Sequence, residues 1–338
     1  MPAMDIFNDD GFSCQSMTAK VNKEPFRPGQ IGALGVFEED GVTTTIVSVE
    51  ERNGKLSLIE PSERGGPGET TDDEDRNLIP FEIDHYQRDD AIKADEVQNV
   101  RAFGTEGDLE TVDNRVMTKL RRHLGDLDMT LEHQRVGAIK GIVTSKSGKV
   151  LHNLYDRFSI AVPAPVSLEL DVDTTEVDKV IKNDVIFSLE DDLDVPYSGI
   201  HAMCGRDFIT ALWAHKRVRE TFLNHVGAET LRGVMPDKFD FGGITWERYK
   251  TGAKATADAG GSPYIANDEA RLIVTGVPEL FITRFAPADY EETVNTIGLP
   301  RYANQYPMPN NKGRNLEVQS NPISICTQPK ALRRLTLT

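Results

Sequence analysis

The strongest pattern along the chain is an apolar stripe at helical spacing. Leu109, Val112, Val116, Leu120, Leu124, Leu127 and Leu131 recur at steps of three and four, which lines one face of a helix. The spacing predicts one long helix over 106–140, roughly 50 Å at 1.5 Å per residue. Thr105 and Asp108 resemble a capping box with Asp in place of Glu or Gln. Glu106, Asp108, Glu110 and Asp113 set negative charge near the positive helix end. Gly141 is placed as a stop, and Gly125 as a weak point or bend.

The segments before that helix read differently. Across residues 1–40, Pro25, Pro28, Gly29, Gly32 and Gly35 interrupt any period. Phe7, Phe12, Phe26, Leu34 and Phe37 are strung along them, which predicts an irregular arm docked on another surface. Next, GVTTTIVSVEERNGKLSLIE places two β-rich runs around Asn53-Gly54, a hairpin signal. PSERGGPGETTDDEDRN (61–77) has Gly, Pro and acid but no core-forming residue, and LIPFEIDHYQ (78–87) reads as a returning strand. Together, 41–87 predict a two-armed excursion with a loop in its middle.

After the helix, Ser147-Gly148 marks a turn between two strand-like runs in 142–160. Residues 174–192 read as helical. IHAMCG (200–205) has the pattern of a short buried strand. RDFITALWAHKRVRETFLNH (206–225) reads as one amphipathic helix with Phe208, Leu212, Val218 and Phe222 inward. FDFGGITWERYK (239–250) is strand, turn, strand, and RLIVTGV and LFITRFA are strand-like. Helices interleaved with strands predict an α+β or mixed α/β architecture.

Charge sharpens this picture. The 338 residues carry 54 acids and 38 bases, a net charge of −16. Between Glu38 and Glu96 there are 18 acids and 6 bases, so one segment holds most of the excess. A general phosphate-binding surface would be basic, and this balance argues against one. No apolar run approaches the roughly 20 residues of a membrane helix. The opening residues lack both a basic start and a hydrophobic stretch, and so predict no secretory signal. Cys14, Cys204 and Cys326 are few and far apart, which predicts reduced thiols.

The search for chemistry yields weak candidates. There is no Gly-rich phosphate loop and no GxSxG nucleophile elbow. His215 and His225 are ten residues apart and His201 lies upstream, without the i, i+4 spacing of a helical zinc pair. Cys204 with His201 or His215 is the one thiol-hydrolase candidate, but its apolar context favours a core thiol. Asp72, Asp73, Glu74 and Asp75 lack the alternating ligands of a calcium loop. No cofactor or metal is expected. Arg115, Lys119 and Arg122 share one helix face by steps of four and three. That row has two readings: a solvated face, or a contact for the acidic excursion of a neighbouring subunit.

The carboxyl-terminal third carries a family resemblance. FGGITWERYK (241–250) and RFAPADYEETVNTIGLPRYANQYPMPNNKGRNLEVQSNPISICTQPKALRRL (284–335) resemble the lambda-like major capsid proteins of tailed bacteriophages, capsid protein E type. IHAMCGRDFITALWAHKRVRETF resembles the same family's strand followed by a helix. The resemblance implies an α+β Hong Kong 97-type capsid fold. Its mapping here is an amino-terminal arm (1–40), an extended β-hairpin loop (41–87) and a peripheral domain (88–173) with a spine helix (106–140). An axial domain (174–315) and a carboxyl-terminal strand (316–338) follow.

The resemblance further implies self-assembly into hexamers and pentamers of an icosahedral head. The head would enclose double-stranded DNA without reading its sequence, and no membrane is involved. A scaffolding protein, a portal and a decoration protein are the implied partners. The chain shows no long helical leader that would serve as a fused scaffold, so a separate scaffolding protein is expected. The implied location is the virion, after assembly in the bacterial cytoplasm. Asp72–Asp75 and Arg115, Lys119 and Arg122 are the candidate subunit contacts. Two other classes stay open from the residues: an intracellular α/β thiol hydrolase, and a non-capsid ring or shell.

Overall fold

The computed structural model describes residues 5–25, 29–52, 76–97, 112–193, 195–223, 236–251 and 263–338. The chain divides into two compact units, each made of three stretches. The first holds Met1–Val47, Glu82–Gln134 and Thr283–Ser324; the second holds Ser48–Phe81, Arg135–Ile282 and Ile325–Thr338.

The first unit is built on a three-stranded antiparallel sheet. Gly313–Ser320 is its centre, flanked by Tyr302–Pro307 and Tyr86–Lys93. Val318 stands opposite Ala303 and Arg88, Leu316 opposite Asp90, and Arg314 opposite Ile92. Paired residues share a sheet face, so one face carries Ile92, Leu316, Val318 and Ala303. It also carries Arg88, paired with Asp126, and Asp90, paired with Lys119 and His123. The apolar part is covered by Val116, Leu120, Leu124 and Leu127 of the long helix, and by Phe7, Phe12, Met17 and Val21 of the amino-terminal segment.

The long helix runs Val112–Lys140, roughly 43 Å. Its expected start at 106 and the Thr105–Asp108 box lie outside the described residues. Five positions of the expected stripe, Val116, Leu120, Leu124, Leu127 and Leu131, are buried. Gly141 ends the helix with φ 79°, a left-handed conformation in which a side chain would be strained. A strand pair follows, Ile142–Thr144 with Val150–Asn153, around the turn at Gly148.

The amino-terminal segment corrects the expectation of an irregular arm. Cys14–Lys23 is an α-helix, and Ser13 caps it by accepting the Ser16 N–H at 3.3 Å. Cys14, Met17 and Val21 recur at steps of three and four and are buried together on one helix face.

The excursion is partly described. Ile46–Arg52 and Arg76–Glu82 form a two-stranded sheet. The Asn53-Gly54 turn, the loop 61–75 and the acidic run Asp72–Asp75 lie outside the described residues. The returning strand ends at Glu82, and a separate strand, Tyr86–Lys93, begins in the other sheet.

The second unit holds a six-stranded mixed sheet. Its order is Val166–Ser167, Arg334–Thr336, Glu269–Thr275, Gly199–Cys204, Ile244–Arg248 and Lys238–Phe241. Gly199–Cys204 pairs parallel with Ile244–Arg248 and antiparallel with Glu269–Thr275. Both faces of this central strand are covered, and Ile200 to Cys204 are all buried. That matches a continuous rather than alternating apolar run. Lys238–Phe241 and Ile244–Arg248 make the expected hairpin across Gly242-Gly243.

The helix expected over 206–225 is two helices, Arg206–Ala214 and Lys216–Leu223, broken at His215. There the backbone turns extended and the imidazole Nε2 donates to the Val172 carbonyl at 3.1 Å. Phe208, Leu212 and Val218 are buried as expected; the Phe222 side chain and His225 are outside the described residues. Residues 177–192 are one helical run whose middle, Ile181–Phe187, widens to π hydrogen bonding.

Residues 283–324 group with the long helix because Tyr302–Pro307 and Gly313–Ser320 pair with Tyr86–Lys93. Residues 325–338 join the six-stranded sheet through Arg334–Thr336.

Candidate functional site

Of the two predicted subunit contacts, the charged row on the long helix lies within the described residues and the acidic run Asp72–Asp75 does not. Lys119 Nζ lies 3.4 Å from Asp90 Oδ1 and 3.1 Å from Glu96 Oε2, and donates to the Ala91 carbonyl. Arg115 Nη2 stands 4.0 Å from Glu96. His123 Nε2 is 2.9 Å from Asp90 Oδ2. Burial pushes the Asp90 carboxyl up, but bonds from His123, the Ala91 N–H and Lys119 outweigh it and hold it below its ordinary value. Lys119 and Arg115 therefore face acids of their own unit. Arg122 is exposed and remains the outward-facing member of the row. Spacing put the three on one face but could not reveal that Asp90 and Glu96 already neutralise that face.

A second set of contacts fixes the amino-terminal segment. Arg121 donates from Nε and Nη2 to the two Glu24 oxygens, each at 2.9 Å. These bonds keep the Glu24 carboxyl below its ordinary value. Thr18 Oγ1 donates to the Ala303 carbonyl and accepts the Ala303 N–H at 3.2 Å. Asn22 donates to the Arg301 carbonyl at 2.8 Å. Arg301 itself is buried, donating to the carbonyls of Val21 and Glu24 and to Asp128 Oδ1. Glu132 accepts the backbone N–H groups of Ile31 and Gly32 at 2.9 and 3.0 Å. A Cβ at Gly29 would sit 2.0 Å from the Glu132 side chain, so only glycine admits this approach.

Sequence reasoning missed Asp128, Glu132 and Arg301. The available signal was two acids at i, i+4 beside the apolar stripe, where a solvated position would not require burial. Both acids and Arg301 are buried.

In the second unit, Glu269 is buried under three cations. Arg271 Nη2 lies at 3.0 Å, Arg334 Nε at 2.8 Å and Lys140 Nζ at 3.7 Å. Burial pushes the Glu269 carboxyl up, but Arg271, then Lys140 and Arg334, outweigh it and bring it below its ordinary value.

Among the described residues, Cys204, His201 and His215 do not assemble into a reactive site. Cys204 is fully buried, its Sγ contacting the Ala202 carbonyl at 3.6 Å, and burial drives its thiol far up. A nucleophilic thiolate needs the opposite environment. His201 pairs with Glu247 at 3.2 Å. Among the described residues no group of three or more His, Cys, Asp or Glu is arranged to hold a metal ion. All three cysteines are free and buried. No helix among the described residues is long and apolar enough to cross a membrane.

What these contacts achieve is mechanical. They hold strands, helix and amino-terminal segment of the first unit in one geometry, and they stitch the sheet of the second. Comparison with known proteins agrees with that role. Residues 13–337 match the family described as phage major capsid protein E. The major capsid protein of Pseudomonas phage KPP10 is 30% identical over 322 residues, covering 88% of this chain and 89% of that protein. The major capsid protein of Salmonella phage Felix O1 is 23% identical, covering 95% of each. A solved structure described as a capsid protein of an E. coli CFT073 prophage superposes with a TM-score of 0.59 at 11% identity. It covers 96% of this chain and 99% of that one.

Proposed function

The chain belongs to the phage major capsid protein E family, and from that premise we propose how its two units build a shell. It is a major capsid protein of a tailed-phage head, a component of the virion, with a Hong Kong 97-type capsid fold. In our reading the first unit, with the long helix, is the peripheral domain, and the six-stranded unit is the axial domain. Copies associate as hexamers and pentamers through head-to-tail contacts that close into rings. Interfaces of such obligate assemblies commonly exceed about 2,000 Å².

Assembly in this reading takes place in the host cytoplasm on a separate scaffolding protein, with a portal at one vertex. The precursor shell then expands by switching between two packings. A net charge of −16 suits a wall that encloses DNA without gripping it. The acidic run Asp72–Asp75 pairs with a cationic surface of the next copy. Arg122 is the member of the expected row that is available for it, since Lys119 and Arg115 already face Asp90 and Glu96.

The observation that carries the assembly reading is the extent of the family match. It spans 13–337, so nearly the whole chain, and not an appended domain, is the shell subunit. Sedimentation velocity of the full chain, alone and co-expressed with its scaffolding protein, tests it. Capsomer-sized species and shells are the expected result. A monomer under every condition would sink the reading. Charge reversal at Asp72–Asp75 is expected to weaken assembly, with rescue by Arg122→Glu; unimpaired assembly at low salt would refute that pairing.

A further inference from the structure

Two surface features of the first unit match each other but cannot meet within one copy. The first is a knob. Val294 is 66% exposed, Ile297 65% and Leu299 42%, an apolar group displayed to solvent. The backbone beneath it is pinned. Thr293 Oγ1 donates to the Ala288 carbonyl at 2.7 Å, the Gly298 N–H donates to the Val42 carbonyl at 2.9 Å, and the Leu299 N–H donates to the Tyr302 hydroxyl at 2.8 Å. Those bonds hold the backbone that carries the three apolar side chains. Glu291 and Glu292, both exposed, stand at its base.

The second feature is a groove lined by Lys93, Ala94, Asp95, Met308, Pro309, Lys312 and Asn315, with a volume of about 530 Å³. That is room for more than one aliphatic side chain. Its floor is mainly apolar, and its two exposed lysines outnumber its single acid. The strand Tyr302–Pro307 separates the two features. Six extended residues span roughly 20 Å, and the knob is tied to Tyr302 at one end while Met308 follows the other.

We propose that the Val294–Leu299 knob of one copy seats in the Lys93–Lys312 groove of the next, with Glu291 and Glu292 set against Lys93 and Lys312. Apolar side chains fill the groove and opposite charges set the register, a division of labour general to interfaces. Different patches meet on the two copies, so the contact is head-to-tail and closes a ring when the rotation is right. The proposal rests on the shell reading and names one of its contacts.

The test is a disulfide across the contact. The native cysteines are buried, so a chain carrying Ile297→Cys and Met308→Cys reports only on the new pair. Assembled particles of the full chain are oxidised and run on a denaturing gel without reductant. A ladder of covalently joined chains, absent from either single variant, is expected. In parallel, Lys93→Glu with Lys312→Glu is expected to abolish assembly, and adding Glu291→Lys with Glu292→Lys to restore it. Particles without a ladder would overturn the proposal. A link within one chain, seen as a faster-migrating monomer, would overturn it equally. Failure of the unmodified chain to form particles at all would instead strike the shell reading, and is seen before any substitution is made.

Discussion

Arg301 and Asp128 are each about 95% shielded from solvent, at 5% exposure, and each satisfies the other. Removing one partner of a buried ion pair leaves a charge without compensation, a loss of about 3–5 kcal/mol. Arg301→Met is therefore expected to lower the unfolding free energy of the full chain, read from urea titration, by that amount, and Arg301→Met with Asp128→Leu to recover much of it. Glu269 makes a pH prediction. Its folded carboxyl lies below the ordinary value, so its stabilisation is complete above the unfolded value of about 4.3. It is lost as pH falls through the folded value. Melting curves of the full chain and of Glu269→Gln should differ clearly at neutral pH, and the gap should close as pH falls below about 4. A gap independent of pH would show that Glu269 is not held ionised by its cations. At this scale the sequence was least legible. Lys119 looked like a surface charge because Asp90 and Glu96, its partners, are 29 and 23 positions away and nothing in the spacing joins them.

Elements were far more readable, because a helix or strand is written in local periodicity. The stripe Val116–Leu131, the stop at Gly141, the Gly242-Gly243 hairpin and the buried strand at 200–204 all follow from spacing and turn chemistry. The exceptions have a common cause. His215 interrupts a well-patterned helix for the sake of a bond to Val172, a tertiary contact that overrides propensity. Cys14–Lys23 is a helix because its Met17 and Val21 face a core assembled from distant strands. Gly125 tests the long helix directly. A Cβ there would meet nothing within 4 Å, so Gly125→Ala should stabilise the chain by about 0.5–1 kcal/mol. A destabilised variant in chemical unfolding would mean the helix bends at that residue in a way Ala cannot follow. Gly29→Ala should do the reverse, costing about 1–3 kcal/mol through overpacking against Glu132.

At the level of the whole molecule, the resemblance in the carboxyl-terminal third indicated the fold class correctly. Strand partnership was not legible. Tyr86–Lys93 pairs with residues more than 200 positions later, and no local pattern encodes that choice. The charge excess of the 38–96 segment keeps its significance as a proposal, because the run Asp72–Asp75 lies outside the described residues. Electron microscopy of the full-length protein co-expressed with its scaffolding protein should show closed particles whose walls resolve into rings of five and six copies; uniformly small, discrete species under all conditions would mean that the chain builds no shell.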